Sequence, residues 1–276
     1  MRMRTLRLRL ATVWLLRLGL LTGVAQEPAP PETERFVLVE LFTSQGCDLC
    51  PEAEQLLGTL ADRNPRVVPI AFHVDYFNDP WPDPYSAKLH SERQRAYHNV
   101  YTKPKPAQYG LYYTPMLMID GAQSVNGRDR SAAETAIKQA LWRKPAVTLR
   151  ASLQIRESPA TGELEVSVAS RSPRAEGRKL LIGAVLRDDG LTNRVLSGEN
   201  VNKLLVARFP ARKTLLDYLT LEGPAEQSLR FTFPLDPAWS TNKLRLAVFA
   251  QDDQSGLVHQ ALELPWHSTA PRRSAN

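Results

Sequence analysis

The chain has 276 residues, of which 43% are hydrophobic and 23% are charged. This composition is ordinary for one large or two average globular domains, and it excludes a wholly disordered chain. The formal net charge is +6, but five arginines precede the first acidic residue, Glu27, and the rest of the chain carries only +1. A basic surface for nucleic-acid phosphates is therefore not supported.

The first 25 residues have the three parts of a secretory signal peptide. A positive segment from Arg2 to Arg9 precedes a mostly apolar segment from Leu10 to Val24, and small residues mark a cleavage point before Gln26. The alternative is a retained membrane anchor, but the apolar runs are far shorter than the ~20 residues of a span. We therefore predict an exported protein, periplasmic or secreted, without a stable membrane span after cleavage. Disulfides persist in such a compartment.

The first half of the chain alternates strand and helix signals. The predicted elements are a strand at 35–42, a helix from Cys50 to about Asn64, a strand at 67–74, a helix to about Tyr101, strands at 116–120 and 123–126, and a helix that ends at Pro145. Asp83 and Pro84 are expected to begin the second helix, and Ser131 to begin the third through a capping box. Asp120-Gly121 predicts the turn of a hairpin.

Beyond Pro145 the pattern changes to short strands and turns, which predicts an antiparallel sandwich of about 115 residues. Its predicted strands are 147–155, 164–170, 179–186, 204–209, 229–233, 244–251 and 258–264. The predicted organisation is a signal peptide (1–25), a spacer (26–34), a first domain (35–145) with an insertion at about 75–110, a sandwich-like domain (146–265) and a flexible tail (266–276).

The only two cysteines, Cys47 and Cys50, form a C-x-x-C pair ahead of the first predicted helix. A bridge that closes so short a loop stabilises a fold by only roughly 2 kcal/mol, so the spacing indicates thiol chemistry or metal binding. A self-contained zinc site is disfavoured because no second pair of closely spaced ligands follows. The helix N-terminus favours a thiolate at Cys47, the residue nearer solvent, and places Cys50 to resolve a mixed disulfide.

Thr114-Pro115 stands directly before a predicted strand, where proline is rare unless it serves a special turn. In element order, in the placement of the C-x-x-C pair and in this proline, the chain resembles the thioredoxin superfamily. The resemblance implies a cis proline at Pro115 that faces the cysteines, with a substrate backbone paired to Thr114. The alternative is an ordinary trans proline at a strand start. Tyr113 is a further candidate for lining a substrate groove.

A closer resemblance is to the exported thioredoxin-like proteins grouped as domain of unknown function 1223. It covers roughly residues 36–262 and rests on the segments 39–51, 71–76, 92–97, 114–115 and 198–200. It implies an α/β thioredoxin-like domain with a helical insertion, followed by an all-β sandwich-like domain, in an exported protein. It implies no established reaction, and it gives no mechanism for the matching Glu199 and Asn200.

His73 and Asp75 alternate at the end of the second predicted strand, whose carboxyl end lies beside the C-x-x-C turn in a βαβ unit. A carboxylate near a buried thiol can take up its proton, so both residues are candidates for assisting the cysteines. The alternative is that Asp75 caps the insertion and His73 is a hydrogen-bonded core residue. Around the pair, the acidic residues Asp48, Glu52 and Glu54 oppose the helix dipole, which predicts a Cys47 pKa near that of an ordinary thiol.

Three functions follow as hypotheses. The leading one is an exported thiol–disulfide oxidoreductase of the reductase or isomerase type, without a cofactor, that acts on protein thiols and disulfides and needs an unidentified redox partner. The second is a Cu(I)-handling protein that uses the same thiolates, assisted by Met116, Met118 or His73. The third is a non-catalytic binding protein whose disulfide is inert.

Overall fold

The structure is a computed structural model that describes residues 34–102, 104–106, 109–157, 160–173, 175–267 and 272–273. The predicted signal peptide (1–25) and all of the predicted spacer except Glu34 lie outside these residues. The described residues belong to one unit of the chain. None of their helices is long and apolar enough to span a bilayer.

The described chain contains three α-helices and fourteen strands. The helices are α1 (Cys50–Arg63), α2 (Lys88–Asn99) and α3 (Arg130–Leu141), with a 3-10 turn at Thr241–Lys243. The strands are β1 (Val37–Thr43), β2 (Val67–His73), β3 (Met116–Ile119), β4 (Gln123–Asn126), β5 (Val147–Glu157), β6 (Ala160–Ser170), β7 (Lys179–Arg187), β8 (Leu191–Arg194), β9 (Leu204–Ala207), β10 (Ala211–Thr220), β11 (Gln227–Pro234), β12 (Arg245–Asp252), β13 (Val258–Pro265) and β14 (Arg272–Arg273).

The first sheet has the order β2-β1-β3-β4, with β1 parallel to β2 and antiparallel to β3. Strand β1 is buried on both faces. Val39 and Leu41 pack with α1 and α3, whereas Leu38 and Phe42 pack with strands from the second half of the chain. A nearly continuous apolar run is what a strand covered on both sides requires.

The second half forms two antiparallel sheets, β10-β7-β12-β13 and β11-β6-β5-β14, and the separate pair β8-β9. The sheet that contains β7 lies between the first sheet and the sheet that contains β5 and β6. On one face, Leu180 and Ile182 share a core with β5 and β6, and on the other, Val185 and Phe249 pack with Phe42 of the first sheet. The two halves of the chain therefore share a hydrophobic core.

Buried charges lie within the contact between the first sheet and the sheet that contains β7. Glu40 of β1 accepts hydrogen bonds from Arg93 Nε and, at 2.5 Å, from the Tyr97 hydroxyl of α2. The Arg93 guanidinium also lies 4.6 Å from the centre of the Phe249 ring on β12. A buried charge is tolerated only when it is paired. The contacts of Arg93 with Glu40 of the first sheet and with Phe249 of the sheet that contains β7 therefore hold α2 against both sheets.

The predicted fold class is wrong. The described residues are mostly β, with 43% in the strands of several sheets and 18% in helices, and an α/β thioredoxin-like core is not shown. Among the strand pairs that the structure describes, β1-β2 is the only parallel one. An α/β fold needs helices on both faces of a mainly parallel sheet. Here α1 and α3 cover one face of the first sheet, and a second sheet covers much of the other. The predicted boundary between residues 145 and 146 stays a prediction.

Helix α2 begins later than its sequence indicated. It starts at Lys88 with Ala87 as its N-cap, and Asp83 does not cap it. The Asp83 carboxylate instead accepts hydrogen bonds from the Gln45 N–H and lies against His73 Nδ1. The carboxylate also accepts the Tyr85 N–H at 2.9 Å, so its local bond closes a turn before the helix and does not cap α2.

The start of α3 also differs, whereas the hairpin is confirmed. Asp129 is the N-cap of α3 and accepts a 3.0 Å hydrogen bond from the Ala132 N–H, so Ser131 lies inside the helix. Between β3 and β4, Asp120 and Gly121 both have positive φ, 51° and 60°. This left-handed conformation is the one that an Asp-Gly hairpin turn requires.

Candidate functional site

Cys47 and Cys50 form a disulfide at the N-terminus of α1. Their Cα atoms are 5.4 Å apart, and Cys50 is the first residue of the helix. Cys47 is 3% exposed and Cys50 is fully buried, while Asp48 and Leu49 between them face solvent. The free N–H groups of the helix N-terminus favour a thiolate here when the pair is reduced. Cys47 is nevertheless nearly buried as a residue.

Three buried ionisable side chains lie beside this turn: Glu54 of α1, His73 at the end of β2, and Asp83. We call them the buried trio. Asp83 Oδ2 is 2.7 Å from both His73 Nδ1 and the backbone nitrogen of Gln45. His73 Nε2 lies 3.8 Å from Glu54 Oε1 and has no hydrogen-bond partner among the described residues. Gln45 is two residues before Cys47, so it connects the trio to the disulfide turn.

The pKa shifts of the trio follow from burial and mutual attraction. Burial lowers the pKa of His73, but the charge and hydrogen bond of Asp83 outweigh it, and the pKa is raised. Burial acts to raise the pKa of Asp83, but the cationic His73 outweighs it, and the pKa is lowered. Burial raises the pKa of Glu54 despite the attraction of His73. His73 and Asp83 thus form an ion pair, and burial favours the protonated form of Glu54.

Glu54 has fixed neighbours as well as a shifted pKa. Its carboxylate accepts hydrogen bonds from Thr43 Oγ1 at 3.2 Å and from the Arg208 N–H at 3.1 Å. It lies four residues after Cys50, so the two side chains share one face of α1. The spacing therefore puts a carboxyl group with a raised pKa on the same face of α1 as the buried cysteine.

A segment of the second half of the chain is bonded to the turn. We define the arm as residues 191–207, which include β8, β9 and the loop between them. In that loop, Asn200 Nδ2 donates to the carbonyl oxygens of Gln45 and Cys47, at 2.9 and 2.8 Å. Glu199 Oε2 accepts the Asp48 N–H at 2.9 Å. Glu199 and Asn200, for which the family resemblance implied no mechanism, therefore bond to the backbone of the C-x-x-C turn.

The Thr114–Pro115 peptide bond is cis, which agrees with the resemblance. Pro115 immediately precedes β3, the neighbour of β1 in the first sheet. Across Gly127 it approaches α1, because a Cβ added at Gly127 would lie 2.9 Å from the Cβ atoms of both Pro115 and Ala53. Ala53 is three residues after Cys50, so Pro115 lies against the first turn of the disulfide-bearing helix.

Tyr113 lies in an aromatic cluster next to that proline. Its carbonyl accepts a 2.7 Å hydrogen bond from Gln94 of α2, and burial raises the pKa of its hydroxyl to about 12. Its ring lies 5.6 Å from the ring of Tyr109, which is 60% exposed. The cluster thus presents aromatic surface beside Thr114 and Pro115.

The structure does not bring Asp75 together with His73. Strand β2 ends at His73, so the alternation that would have put both side chains on one face stops there. Asp75 instead bonds with Ser91 of α2: the Ser91 hydroxyl donates to its carboxylate and accepts its N–H at 3.0 Å. These contacts of Asp75 fix the segment that follows β2 to α2.

Met116 and Met118 lie on the face of the first sheet opposite α1. They pack with Phe42 and Phe72, whereas Leu117 faces α1 and α3. Copper binding by the cysteines would therefore depend on the two thiolates without these thioethers. Within the described residues, no group of three or more His, Cys, Asp and Glu side chains is arranged to hold a metal ion.

The sequence contained partial signals for the side chains that surround the disulfide. Glu54 is a charged residue among the apolar residues of α1, an arrangement that indicates a buried carboxylate. Asp83, followed by Pro84, has the local pattern of a helix cap. Glu199 and Asn200 were noted only through the resemblance, because nothing local connects them to Cys47.

Together the fold and the site define a mostly β protein with a buried C-x-x-C disulfide at a helix N-terminus, held by both halves of the chain. The chain belongs to the family described as protein of unknown function (DUF1223), whose family model matches residues 38–251. No curated protein matches the sequence.

Two solved structures have a similar fold. Protein AGR_C_4864 from Agrobacterium tumefaciens is 21% identical, with a TM-score of 0.61 over 85% of this chain and 96% of its own. HBP35 of Porphyromonas gingivalis is 12% identical, with a TM-score of 0.60 over 84% of this chain and 75% of its own. At these identities the similarity shows the fold alone.

Proposed function

We propose that the protein is an exported thiol–disulfide oxidoreductase of the reductase or isomerase type that acts on protein disulfides. The observation that carries this proposal is the position of the Cys47–Cys50 disulfide, at a helix N-terminus beside a buried carboxyl group with a raised pKa. A disulfide that only stabilised the fold would sensibly close a longer loop. The apolar leader, which lies outside the described residues, supports export.

The proposed reaction begins with the reduced pair. The Cys47 thiolate attacks one sulfur of a substrate disulfide, a mixed disulfide forms, and the other substrate sulfur leaves as a thiolate. Cys50, deprotonated by Glu54, then attacks the Cys47 sulfur, which re-forms the Cys47–Cys50 bond and releases the second substrate thiolate. Two electrons pass from the protein to the substrate, and the two substrate thiolates take up protons. An external dithiol must reduce the pair again.

The neighbouring groups have separate roles in this scheme. The helix N-terminus stabilises the Cys47 thiolate, and Glu54 in its carboxylate form accepts the Cys50 proton, since burial raises the pKa of Glu54 and makes its carboxylate a stronger base. Thr114 and Pro115 align the backbone of the substrate, and Tyr113 contributes aromatic surface.

Reduction of insulin by the mature chain, with dithiothreitol as the electron donor, tests the proposal. We expect the native protein to accelerate the reaction and Cys47→Ser to abolish the acceleration. Cys50→Ser should accumulate a mixed disulfide with insulin, visible on a non-reducing gel, because the resolving step is removed. Equal activity of native protein and Cys47→Ser would refute the assignment and favour a binding protein with an inert disulfide.

A further inference from the structure

The arm is bonded to the disulfide turn by side-chain hydrogen bonds. Asn200 is fully buried, and its amide group donates two hydrogen bonds to the turn. Its amide oxygen accepts a 2.9 Å hydrogen bond from Lys203 Nζ. Asn193 adds a second contact, since its Nδ2 donates to Gln45 Oε1 at 2.7 Å. A buried amide with all three contacts satisfied specifies one arrangement of the loop.

The outer surface of the arm contrasts with this buried contact. Leu196, Leu204 and Val206 are each more than half exposed, so the arm has no extensive apolar packing on its outer side. Of the apolar residues of the arm only Val195 and Ala207 are buried, so polar contacts supply much of what holds it, including a 2.7 Å bond from Ser197 Oγ to the Pro80 carbonyl. A segment with few buried apolar contacts opens at low free energy.

Thiol–disulfide exchange imposes a geometric demand that the closed arrangement does not meet. The attacking sulfur must reach the Cys47 sulfur, yet Cys47 is 3% exposed. A small dithiol can enter through a slight opening, whereas the cysteine of a folded protein brings its surrounding surface with it. Access for protein thiols therefore requires a larger displacement of the segments around the turn.

We propose that Asn200 is a positioning residue that latches the arm over the disulfide and determines which thiols reach Cys47. With the latch closed, small dithiols react and protein-sized dithiols react slowly. With the latch open, protein-sized dithiols lose this disadvantage, so their rate rises relative to the rate of small dithiols. The proposal concerns how fast the Cys47–Cys50 disulfide is reduced. Only the biological role of this selectivity rests on the proposed function.

The test compares two reductants on the oxidised, otherwise intact mature protein: dithiothreitol and reduced thioredoxin. In each case a thiolate of the reductant attacks the Cys47 sulfur, Cys50 leaves as a thiolate, and the second reductant thiol displaces Cys47. The reductant becomes a disulfide, and two electrons and two protons pass to the protein. The rate is followed by quenching with a maleimide–polyethylene glycol and separating the reduced and oxidised chains on a gel.

We expect Asn200→Ala to raise the rate with thioredoxin by about thirtyfold, because two hydrogen bonds no longer oppose opening. The rate with dithiothreitol should change by less than about threefold, since a small reagent needs little opening. Asn200→Asp should behave like Asn200→Ala, because a carboxylate has the same shape but cannot donate to the two carbonyls. Thr192→Ala, at an exposed position of the same arm, should leave both rates unchanged.

The ratio of the thioredoxin rate to the dithiothreitol rate distinguishes opening of the arm from a loss of stability. Unfolding would expose the disulfide to both reagents and raise both rates equally, which would overturn the proposal, as would an unchanged ratio in a folded variant. If Asn200→Ala does not fold, Glu199→Ala removes a second latch contact at an exposed residue and should raise the ratio in the same direction. The insulin assay is not involved, so failure of the proposed function would not affect this result.

Discussion

Replacement of Asp83 by Asn tests the ion pair at the centre of the buried trio. The substitution keeps the size of the side chain but removes the negative charge that faces His73 Nδ1 and the Gln45 N–H, each at 2.7 Å. Removing one partner of a buried ion pair leaves the other charge uncompensated and lowers the free energy of unfolding by about 3–5 kcal/mol. We expect a loss of this size for Asp83→Asn at pH values where His73 is protonated.

The pH dependence gives the sign of the effect. The folded pKa of His73 lies above its ordinary value of 6.5, so above pH 6.5 the folded chain keeps a proton that the unfolded chain has lost. The free energy of unfolding should then fall by about 1.4 kcal/mol per pH unit until the folded pKa of His73 is passed. Glu54, whose pKa is raised, acts in the same direction above its ordinary value of 4.5.

Two other histidines do not disturb this window. Burial lowers the pKa of His90 to about 4, and burial also lowers the pKa of His259. Both are neutral in the folded and unfolded chains above pH 6.5, so their contribution to stability is lost only as the pH falls below that value. Above pH 6.5 the histidine-linked slope should therefore come from His73.

Urea unfolding at several pH values between 6.5 and about 8.5 measures both effects. The native chain should lose stability as the pH rises, and the slope should be smaller in Asp83→Asn by about one proton, because His73 no longer binds a proton more tightly when folded. The difference between the two proteins should therefore be largest at pH 6.5. A native stability that is constant or rises across the window, or an equal slope in the variant, would refute the reasoning.

Two further substitutions test the packing of the site and of the shared core. Arg93→Met leaves the buried Glu40 carboxylate without its ion pair, and we expect a loss of about 3–5 kcal/mol in urea unfolding, most of which Glu40→Leu should restore in the double variant. A loss below about 1 kcal/mol would mean that the pair behaves like an exposed one. Gly127→Ala puts a methyl group 2.9 Å from the Cβ of Pro115 and should cost about 1–3 kcal/mol. A loss within about 0.5 kcal/mol, the range of ordinary surface substitutions, would contradict the proposed contact with α1.

Local patterns in the sequence were sufficient for the elements near the disulfide. The apolar run of β1, the stripe of α1 and the Asp120-Gly121 turn each depend on residues within a few positions, and the structure has all three. Strands β8 and β10 were not predicted. Both have many partly or fully exposed residues and no strong apolar alternation, so their pairing depends on strands elsewhere in the chain.

The fold class and most of the site required long-range information. An apolar face of the first sheet shows that it is covered, but not whether helices or another sheet cover it. Asp83 had two possible roles, a local cap and a distant acceptor, and contacts to Gln45, 38 residues away, and to His73 decided between them. Asn200 bonds to Cys47 across 153 residues, a separation at which no spacing rule applies.

The acidic surroundings of the turn also bear on the redox chemistry of Cys47. The arm brings the Glu199 carboxylate to the Asp48 N–H, so a negative charge joins the turn from outside the local sequence. Glu52, in contrast, is paired with Arg128 at 2.5 Å, which offsets its charge. Nearby carboxylates disfavour the thiolate, while the helix N-terminus favours it by only about 0.3–1 kcal/mol at an exposed site.

We therefore expect the reduced protein to have a Cys47 pKa within about one unit of the ordinary thiol value of ~8.5, which suits a reductant or isomerase better than a strong oxidant. Thiolate absorbance against pH in Cys50→Ser, which isolates Cys47, measures it. Glu199→Gln should lower this pKa because it removes a repelling charge, whereas Glu52→Gln should have a smaller effect because Arg128 already offsets that charge. A Cys47 pKa below about 5 would mean that the helix N-terminus outweighs the carboxylates, and the assignment as a reductant would then be wrong.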